Sequence, residues 1–444
     1  MPKTAMDINV ATRRAPRTTT RVAWLIGPAL VAGVAYLDPG NVASNMTAGA
    51  RYGYLLVWVV VLGNVMAWLI QYLSAKLGIV TGRSLPETLG RRIRNPWARR
   101  AYWLQAELVA MATDIAEVIG GAVALYLLFD IPLLWGGVIT GTVSLVLLVV
   151  QSRRGPRTFE FVVIGLVAII AIGFTFGVFI APPEPGAVAA GLVPRFEGTG
   201  SVLLAASILG ATIMPHAIYA HSALARDRFA PSQTPSSLTD AADMSPGSRT
   251  PVPLEVLRGI PTVRLLRATK WDVSIAMLIA GTVNLCILLL AAANLAGVEG
   301  TDTLEGAYAA LADGIGPMVA TLFAVGLLAS GLASTSVGAY AGAEIMHGLL
   351  HVRIPLIARR LVTLIPALAI LALGVDPTLA LVLSQVVLSF GIPFALIPLV
   401  VLTAQRRTLG EFRNRVLTTA AGVAASLFLI TLNAVLLWLV LTGA

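Results

Sequence analysis

The amino-acid sequence predicts an all-α membrane protein with about eleven transmembrane helices, in which ten form two inverted repeats of five and the first and sixth are broken. Three observations predict this fold: the composition, the spacing of the apolar stretches and two matched interruptions. Of the 444 residues, 57% are hydrophobic and 12% are charged, and the mean hydropathy is +0.84. So few polar residues cannot cover a water-soluble protein of this length.

Eleven apolar stretches are each long enough to cross a hydrocarbon layer about 30 Å thick, which takes about 20 helical residues. We call them spans 1 to 11, and they lie at residues 24–50, 54–80, 101–129, 131–151, 159–181, 201–223, 271–297, 316–346, 355–374, 377–403 and 416–442.

The basic residues support this count. Of the 31 lysines and arginines, 29 lie in or beside alternate connections, and only Arg51 and Arg195 fall on the other side. The positive-inside rule then places the N-terminus in the cytoplasm and, after an odd number of spans, the C-terminus outside a cell membrane crossed many times. The net charge of +9 therefore reflects topology and does not indicate nucleic-acid binding.

The predicted organisation has four parts: a cytoplasmic tail at 1–23, a first repeat at 24–181, a second repeat at 201–403 and a separate eleventh span at 416–442. No cleavable signal peptide is expected before span 1. The connection at 225–269 is rich in Pro, Ser and Thr and is predicted to be a flexible cytoplasmic loop. Cys286 is the single cysteine, which excludes an intrachain disulfide and a cysteine metal cluster.

Span 1 is interrupted by the sequence AYLDPGN at residues 35–41. The segments on either side, 24–37 and 42–50, are each too short to cross alone, so together they form one span with an unwound centre. Non-helical backbone at membrane depth occurs only where it is buried in protein or lines an aqueous cavity. This break is therefore predicted to line a cavity.

Span 6 has a matching interruption, ATIMPHA at residues 211–217. When the prolines are aligned, Ala35 corresponds to Ala211 and Asp38 to Met214. Five spans separate the two breaks, so spans 1 and 6 run in opposite directions, as an inverted repeat requires. Paired broken helices in the two halves are the best sequence indication of a transporter's midplane binding site.

The breaks supply a mixed set of candidate metal ligands. Because a proline at position i leaves the carbonyl of i−4 without its helical partner, Pro39 and Pro215 are expected to expose the carbonyls of Ala35 and Ala211. Both lie at the C-terminal end of a half-helix, where the dipole favours a cation. The carboxylate of Asp38, the amide oxygen of Asn41 and the thioether of Met214 complete the set. Four hard oxygens with one soft sulfur suit Mn²⁺ or Fe²⁺ better than Ca²⁺ or Mg²⁺.

With DPGN in a broken first span and MPH in a broken sixth span, the sequence resembles the Nramp family (natural resistance-associated macrophage proteins), and most of all its bacterial proton-coupled manganese transporters. The resemblance covers about residues 27–440. It implies a LeuT-type fold, no enzymatic activity, and import of Mn²⁺, with Fe²⁺, Co²⁺ and Cd²⁺ as further substrates, by alternating access. It also implies metal binding at Asp38, Asn41 and Met214, a contribution of the carbonyls of Ala35 and Ala211 in different conformations, and a nearby polar residue at Gln385.

The same site residues have structural interpretations. A methionine in an apolar span usually only packs, and Asp38 or Asn41 at the start of a half-helix can serve as its N-cap. The position of Met214 directly before Pro215 favours a ligand, and a carboxylate such as Asp38 at mid-depth indicates function because its burial is costly. Asn41 stays open as a ligand, a cap or both.

Proton coupling would need groups that change charge along a path. Glu107, Asp114 and Glu117 lie on one face of span 3, and their expected partners are Arg359 and Arg360 at the start of span 9. This set could pass a proton to the cytoplasm, an arrangement that the family resemblance supports. The alternative is a static ion-pair network that fixes helix packing.

Two histidines lie on span 6 after the break. His216 can titrate near neutral pH and is a candidate to tune the site or accept the proton, together with Asp38. His221 has an equally good packing interpretation. No cofactor, nucleic acid or obligatory protein partner is expected; the metal and the proton are substrates.

Two other functions stay open at this point. A sodium-coupled amino-acid carrier could share the fold, but Asp38 would repel a substrate carboxylate. A metal channel could use the same ligands, and saturable, pH-dependent flux would distinguish a carrier from it. An intramembrane protease is disfavoured, because no span contains GxGD or GxSG.

Overall fold

The computed structural model describes residues 27–154, 156–229, 260–352 and 355–442, and every regular element in these ranges is a helix. The predicted tail at 1–23 and most of the predicted loop, residues 230–259, lie outside the described residues. Helices occupy all eleven predicted spans, which confirms the all-α membrane fold. Seven helical segments in the described part, one of which includes the break in span 6, are long and apolar enough to cross a membrane. Shorter apolar segments lie at Pro28–Leu37 in span 1, Leu133–Leu147 in span 4 and Ile164–Ile180 in span 5.

Span 1 consists of the helix Pro28–Gly33, a 3₁₀ turn at Val34–Leu37 and the helix Pro39–Tyr52. Span 6 consists of Gly198–Thr212 and Pro215–Phe229. The other spans are the helices Val57–Thr81, Pro96–Phe129, Leu133–Arg154, Pro156–Ile180, Thr262–Asn294, Pro317–Leu350, Leu356–Ala372, Pro377–Ala404 and Val416–Thr442. Short helices at Leu85–Arg92, Pro185–Ala190, Leu304–Gly314 and Arg406–Leu409, and a 3₁₀ turn at Gly410–Phe412, lie between spans.

Several predicted boundaries were wrong at the basic ends of the spans. Span 3 begins at Pro96, where Asn95 caps the helix, and not at residue 101. Span 7 begins at Thr262 instead of 271, and span 6 continues to Phe229, so the predicted loop 225–269 is helical at both ends. Hydropathy marks the part of a helix inside the hydrocarbon layer, whereas backbone hydrogen bonds allow the helix to extend beyond it.

The two broken spans form the centre of the molecule. Residues 31–50 of span 1 and 204–223 of span 6 are buried throughout. Span 11 lies at the periphery, where Leu427 and Trp438 are about 60% exposed on its outer face. The interrupted helices are therefore enclosed by other helices, as non-helical backbone in a membrane requires.

Glycines allow the helices around the first break to approach closely. A Cβ atom at Gly120 of span 3 would overlap the ring of Pro39, and one at Gly210 of span 6 would overlap the backbone oxygen of Gln385 in span 10. Small residues at helix interfaces are the usual means of close packing in membranes. They bring spans 1, 3, 6 and 10 together at the level of the breaks.

Candidate metal centre

Asp38 occupies the break in span 1 and caps its second half-helix. Its backbone is extended, with φ −71° and ψ 164°, and Pro39 follows as the first helical residue. The Asp38 Oδ1 atom accepts a hydrogen bond of 2.8 Å from the backbone N–H of Asn41. The side chain is completely buried. A carboxylate is thus held at the start of a half-helix, where the dipole favours a negative charge.

Met214 occupies the equivalent position in span 6. It is completely buried and directly precedes Pro215, the first residue of the second half-helix. The Met214 carbonyl accepts from the N–H of Ile218 at 3.2 Å, just as the Asp38 carbonyl accepts from Val42 at 3.3 Å. The two breaks therefore have the same local backbone pattern, in agreement with the proline alignment.

Asn41 joins the two breaks. Its Nδ2 atom donates to Asp38 Oδ1 at 3.0 Å and to the backbone oxygen of Ala211 at 2.9 Å. The Asn41 Oδ1 atom is buried and has no hydrogen-bond partner. The residue that caps the half-helix is Asp38, so the interpretation of Asn41 as the N-cap is wrong.

Gln385 of span 10 contacts the second carboxylate oxygen of Asp38. Its Nε2 atom lies 3.3 Å from Asp38 Oδ2 and 3.2 Å from the hydroxyl of Ser384, and its Oε1 atom is buried without a partner. A Cβ atom at Gly40 would overlap the Gln385 amide, so glycine at position 40 permits this contact. Gln385 therefore lies beside Asp38, and its part in a metal site stays a prediction.

The two carbonyls that follow Ala35 accept hydrogen bonds from side chains of other spans. Ala35 lies in the buried 3₁₀ turn of span 1. The Tyr36 carbonyl accepts from Asn284 Nδ2 of span 7 at 2.9 Å, and the Leu37 carbonyl accepts from the hydroxyl of Ser330 in span 8. Sequence reasoning missed Ser330, because nothing distinguishes it from the other small residues of span 8.

The unpartnered oxygens fit a cation. A buried amide oxygen without a donor costs roughly 1–3 kcal/mol, and here two such oxygens, from Asn41 and Gln385, belong to side chains that also contact the buried Asp38 carboxylate. A divalent ion would satisfy the oxygens and the charge together. Among the described residues no three His, Cys, Asp or Glu side chains form a metal-binding group, so this set differs from a closed structural metal centre.

Five of the seven predicted proton-path residues, all except Asp38 and His216, form one buried network. Arg359 contacts Glu107 at 2.9 Å and Asp114 at 3.2 Å. Arg360 contacts Asp114 at 2.7 Å and Glu117 at 3.1 Å. The predicted pairing of span 3 with the arginines of span 9 is confirmed, and the network holds three carboxylates against two guanidinium groups.

The inner end of this network approaches the first break. Glu117 lies one helical turn before Gly120, and Pro39 packs against Gly120. On the other side, Arg360 Nη2 donates to the hydroxyl of Thr335 in span 8 at 3.3 Å. The acidic face of span 3 thus begins beside the candidate metal centre and continues toward the basic end of the helix.

The two histidines contact different spans. The His216 Nδ1 atom lies 3.2 Å from the hydroxyl of Thr113, the residue before Asp114, so His216 connects span 6 with span 3. The His221 Nδ1 atom lies 2.6 Å from Gln71 Oε1, and the Gln71 amide contacts the Tyr36 hydroxyl. His221 therefore belongs to a buried polar chain and not to an apolar packing surface.

The fold and the paired half-helices define a membrane transporter of the class built from inverted repeats with broken helices. The chain belongs to the Nramp family: the family described as natural resistance-associated macrophage protein-like matches residues 29–439.

Two named relatives are similar over nearly their whole length. The divalent metal cation transporter MntH of Mycobacterium tuberculosis (strain CDC 1551 / Oshkosh) is 57% identical over 428 residues, 96% of this chain and 94% of that protein. The protein of the same name from Bacillus subtilis (strain 168) is 45% identical over 417 residues, 93% of this chain and 91% of that protein.

Solved structures agree in fold. The Eremococcus coleocola manganese transporter in complex with an aromatic bis-isothiourea substituted compound superposes with a TM-score of 0.77 at 32% identity, and covers 93% of this chain and 86% of that one. MhsT in complex with L-phenylalanine has a TM-score of 0.57 at 12% identity, and covers 95% and 98%. At that identity the likeness to MhsT shows the LeuT-type fold alone.

Proposed function

We propose that this protein imports divalent transition metal ions, Mn²⁺ first and also Fe²⁺, Co²⁺ and Cd²⁺, by proton-coupled alternating access. The observation that carries the proposal is the hydrogen bond from Asn41 to the Ala211 carbonyl, which joins both breaks and the Asp38 carboxylate in one buried group. The relatives named as divalent metal cation transporters support the same substrate class.

The metal is proposed to bind Asp38, Asn41 and Met214, with carbonyls from Ala35 and Ala211. Asp38 supplies the charge, Asn41 supplies the oxygen that lacks a donor, and Met214 supplies a soft thioether. Sulfur favours Mn²⁺ and Fe²⁺ over Ca²⁺ and Mg²⁺, which prefer oxygen alone. Metal binding at Asp38 would displace the amide groups of Asn41 and Gln385, which donate to this carboxylate. Gln385 is then proposed to turn its unpartnered Oε1 atom toward the ion.

Transport requires the half-helices to move. Asp38, Asn41 and Met214 are completely buried, so neither face of the membrane reaches them in this conformation. The two breaks allow one half of each helix to tilt without breaking a continuous hydrogen-bond ladder. We propose that spans 1 and 6 open first to the outside and then to the cytoplasm.

The proton is proposed to leave through the network of span 3 and span 9. With three carboxylates and two guanidinium groups, the network is balanced when it holds one additional proton. Asp38, with His216 beside span 3, would pass the proton to Glu117 and Asp114 and then through Glu107 to the cytoplasm. Arg359 and Arg360 would stay charged and stabilise the carboxylates of this path. The metal would use the separate route between the half-helices.

The proposed location is the cell membrane, with the N-terminus in the cytoplasm and the C-terminus outside. The distribution of basic residues supports this orientation. No resident cofactor and no obligatory protein partner is part of the proposal. As a member of a transporter family, the protein is not an enzyme.

The test is Mn²⁺ uptake into proteoliposomes, with Ca²⁺ as competitor and with a pH gradient applied or absent. Asp38→Asn is expected to be nearly inactive. Met214→Ala is expected to move Mn²⁺ but to lose discrimination against Ca²⁺. The control is Met66→Ala, because Met66 is a buried methionine of span 2 outside both breaks; this variant is expected to keep the discrimination against Ca²⁺.

Three results would contradict the proposal. Unchanged Ca²⁺ discrimination in Met214→Ala would show that the thioether is not a ligand. Uptake of amino acids in place of Mn²⁺ would indicate the amino-acid carrier of the same fold. Flux that does not saturate with metal concentration and ignores the pH gradient would indicate a channel.

A further inference from the structure

A cavity of about 650 Å³ opens between spans 2 and 7 at the end of the molecule where most basic residues lie. Its lining includes Arg267, Lys270 and Trp271 from span 7 and Tyr72 from span 2. The volume is within the roughly 300–1,000 Å³ that is typical of small-molecule sites. Ser274 is the cavity residue nearest along span 7 to Asn284, which donates to the Tyr36 carbonyl beside Ala35, and ten residues separate the two.

Among the residues that the structure describes, the two cations of this cavity have no acidic partner. Arg267 and Lys270 are one helical turn apart on span 7, and both are exposed. Among the described residues neither forms an ion pair with a carboxylate. Two positive charges on one wall of a cavity, unpaired within the described part of the chain, favour an anionic ligand.

Aromatic side chains of span 2 contact span 7 beside the cavity. Trp68 stacks on Tyr72 with ring centroids 6.4 Å apart, and its Nε1 atom donates to the Ser274 hydroxyl at 3.0 Å. The Lys270 Nζ atom lies 5.7 Å from the centroid of the Trp68 ring. This contact orients the ammonium group without neutralising its charge. Tryptophan and tyrosine are also the residues that favour the boundary between headgroups and hydrocarbon.

The surface beside the cavity is apolar and faces outward. Trp271, Ile275 and Leu278 follow one another at helical spacing on span 7 and are 63%, 39% and 70% exposed. A second hollow of about 390 Å³ shares Arg267 and Trp271 with the first. A ligand held by the cations could therefore extend along an apolar stripe, which suits a molecule with an anionic head and an acyl chain.

We propose that this cavity binds the headgroup of an anionic phospholipid of the cytoplasmic leaflet, with Arg267 and Lys270 on the phosphate and the acyl chains along Ile275 and Leu278. Basic pockets between helices on the cytoplasmic side are suited to such headgroups. The lipid would connect spans 2 and 7, which occupy equivalent positions in the two repeats. This inference does not depend on the metal centre, so its failure would leave the proposed transport function untouched.

The test measures lipid retention by the full-length purified protein in an equal mixture of phosphatidylglycerol and phosphatidylcholine, by native mass spectrometry. Wild type is expected to retain phosphatidylglycerol preferentially. The double variant Arg267→Gln/Lys270→Gln is expected to bind it about tenfold or more weakly, since each basic residue near the surface contributes to anionic-lipid affinity. The charge-conserving Arg267→Lys/Lys270→Arg is expected to keep the preference.

The matched control removes two charges from the same end of the molecule. Arg406 and Arg407 are exposed and do not line the cavity, so Arg406→Gln/Arg407→Gln is expected to retain phosphatidylglycerol like wild type. Equal loss in both double variants, or no loss in either, would overturn the proposal. Displacement of the lipid by inorganic phosphate or glycerol 3-phosphate at equal concentration would indicate a phosphate site instead and would also overturn it.

Discussion

The side-chain amide of Asn41 donates a 2.9 Å hydrogen bond to the backbone oxygen of Ala211, 170 residues away. This bond joins the two half-helix breaks, and the same Nδ2 atom also contacts Asp38. A single side chain therefore sets the distance between the candidate ligands of span 1 and those of span 6. The candidate metal centre depends on both repeats being folded against each other.

Replacing Asn41 with alanine is expected to weaken Mn²⁺ binding by about ten- to a hundredfold, since it removes a proposed ligand oxygen and leaves the buried Ala211 carbonyl without its donor, at a cost of roughly 1–3 kcal/mol. Isothermal titration of the purified protein measures this. Asn433→Ala is the control, because Asn433 also makes two buried interhelical hydrogen bonds, to Ser389, but lies in span 11. Equal losses of affinity in the two variants would mean that Asn41 acts only through stability.

Replacing Gly40 with alanine is expected to displace Gln385 from Asp38, because the added Cβ atom would overlap the Gln385 amide. The variant should lose Mn²⁺ uptake and thermal stability together. The stability, but not the uptake, should recover in Gly40→Ala/Gln385→Ala, where the overlapping atoms are gone. A double variant as unstable as Gly40→Ala alone would assign the damage to another contact.

Replacing Arg360 with glutamine is expected to destabilise the fold by roughly 3–5 kcal/mol, because it leaves Asp114 and Glu117 buried with one cation fewer. Chemical unfolding in detergent measures the change. Arg360→Lys keeps the charge but not the forked geometry, so it should recover part of the stability. A loss below about 1 kcal/mol for Arg360→Gln would show that the carboxylates are already neutral.

Glu117→Gln tests the proton path separately from packing. The substitution replaces a carboxylate that can bind and release a proton with an amide that cannot, and it keeps the shape of the side chain. Mn²⁺ uptake is expected to persist while uptake driven by a pH gradient falls to the level without the gradient. Gradient-driven uptake equal to that of wild type would favour the static ion-pair interpretation of the network.

Arg226, near the end of span 6, is expected to stabilise the packing of that end against neighbouring helices. It contacts Glu87 at 2.7 Å, Asp227 at 2.7 Å and Glu344 at 3.2 Å, so Arg226→Gln leaves three carboxylates close together. The melting temperature should fall clearly in Arg226→Gln.

The control for Arg226 is Arg51→Gln, whose ion pair with Asp302 is largely exposed. Exposed pairs contribute about 0–1 kcal/mol, so its melting temperature should barely change. Similar shifts of melting temperature in the two variants would mean that the ion pairs of Arg226 are too hydrated to stabilise the fold.

Much of the site could be predicted from two short motifs. Each proline identifies its own break, and the residue before it, Asp38 or Met214, occupies the same backbone position in both spans. The pairing of the span 3 acids with Arg359 and Arg360 was also predictable, because carboxylates at one helical face inside a membrane need cationic partners. Helix ends were predicted less well, since hydropathy reports the hydrocarbon layer and not the last hydrogen bond of the helix.

By itself, the sequence determined the spans, the breaks and the chemical types of the candidate ligands, because hydropathy and proline act locally. Only the tertiary structure decided which oxygens stay unsatisfied. Asn41 contacts the Ala211 carbonyl, and Gln385 contacts Asp38. Close packing at Gly40 and Gly210 permits these long-range contacts. Asn284 and Ser330 donate to the carbonyls that follow Ala35. Hydrogen-bond partners in a membrane protein come from other helices, so the distance along the chain does not reveal them.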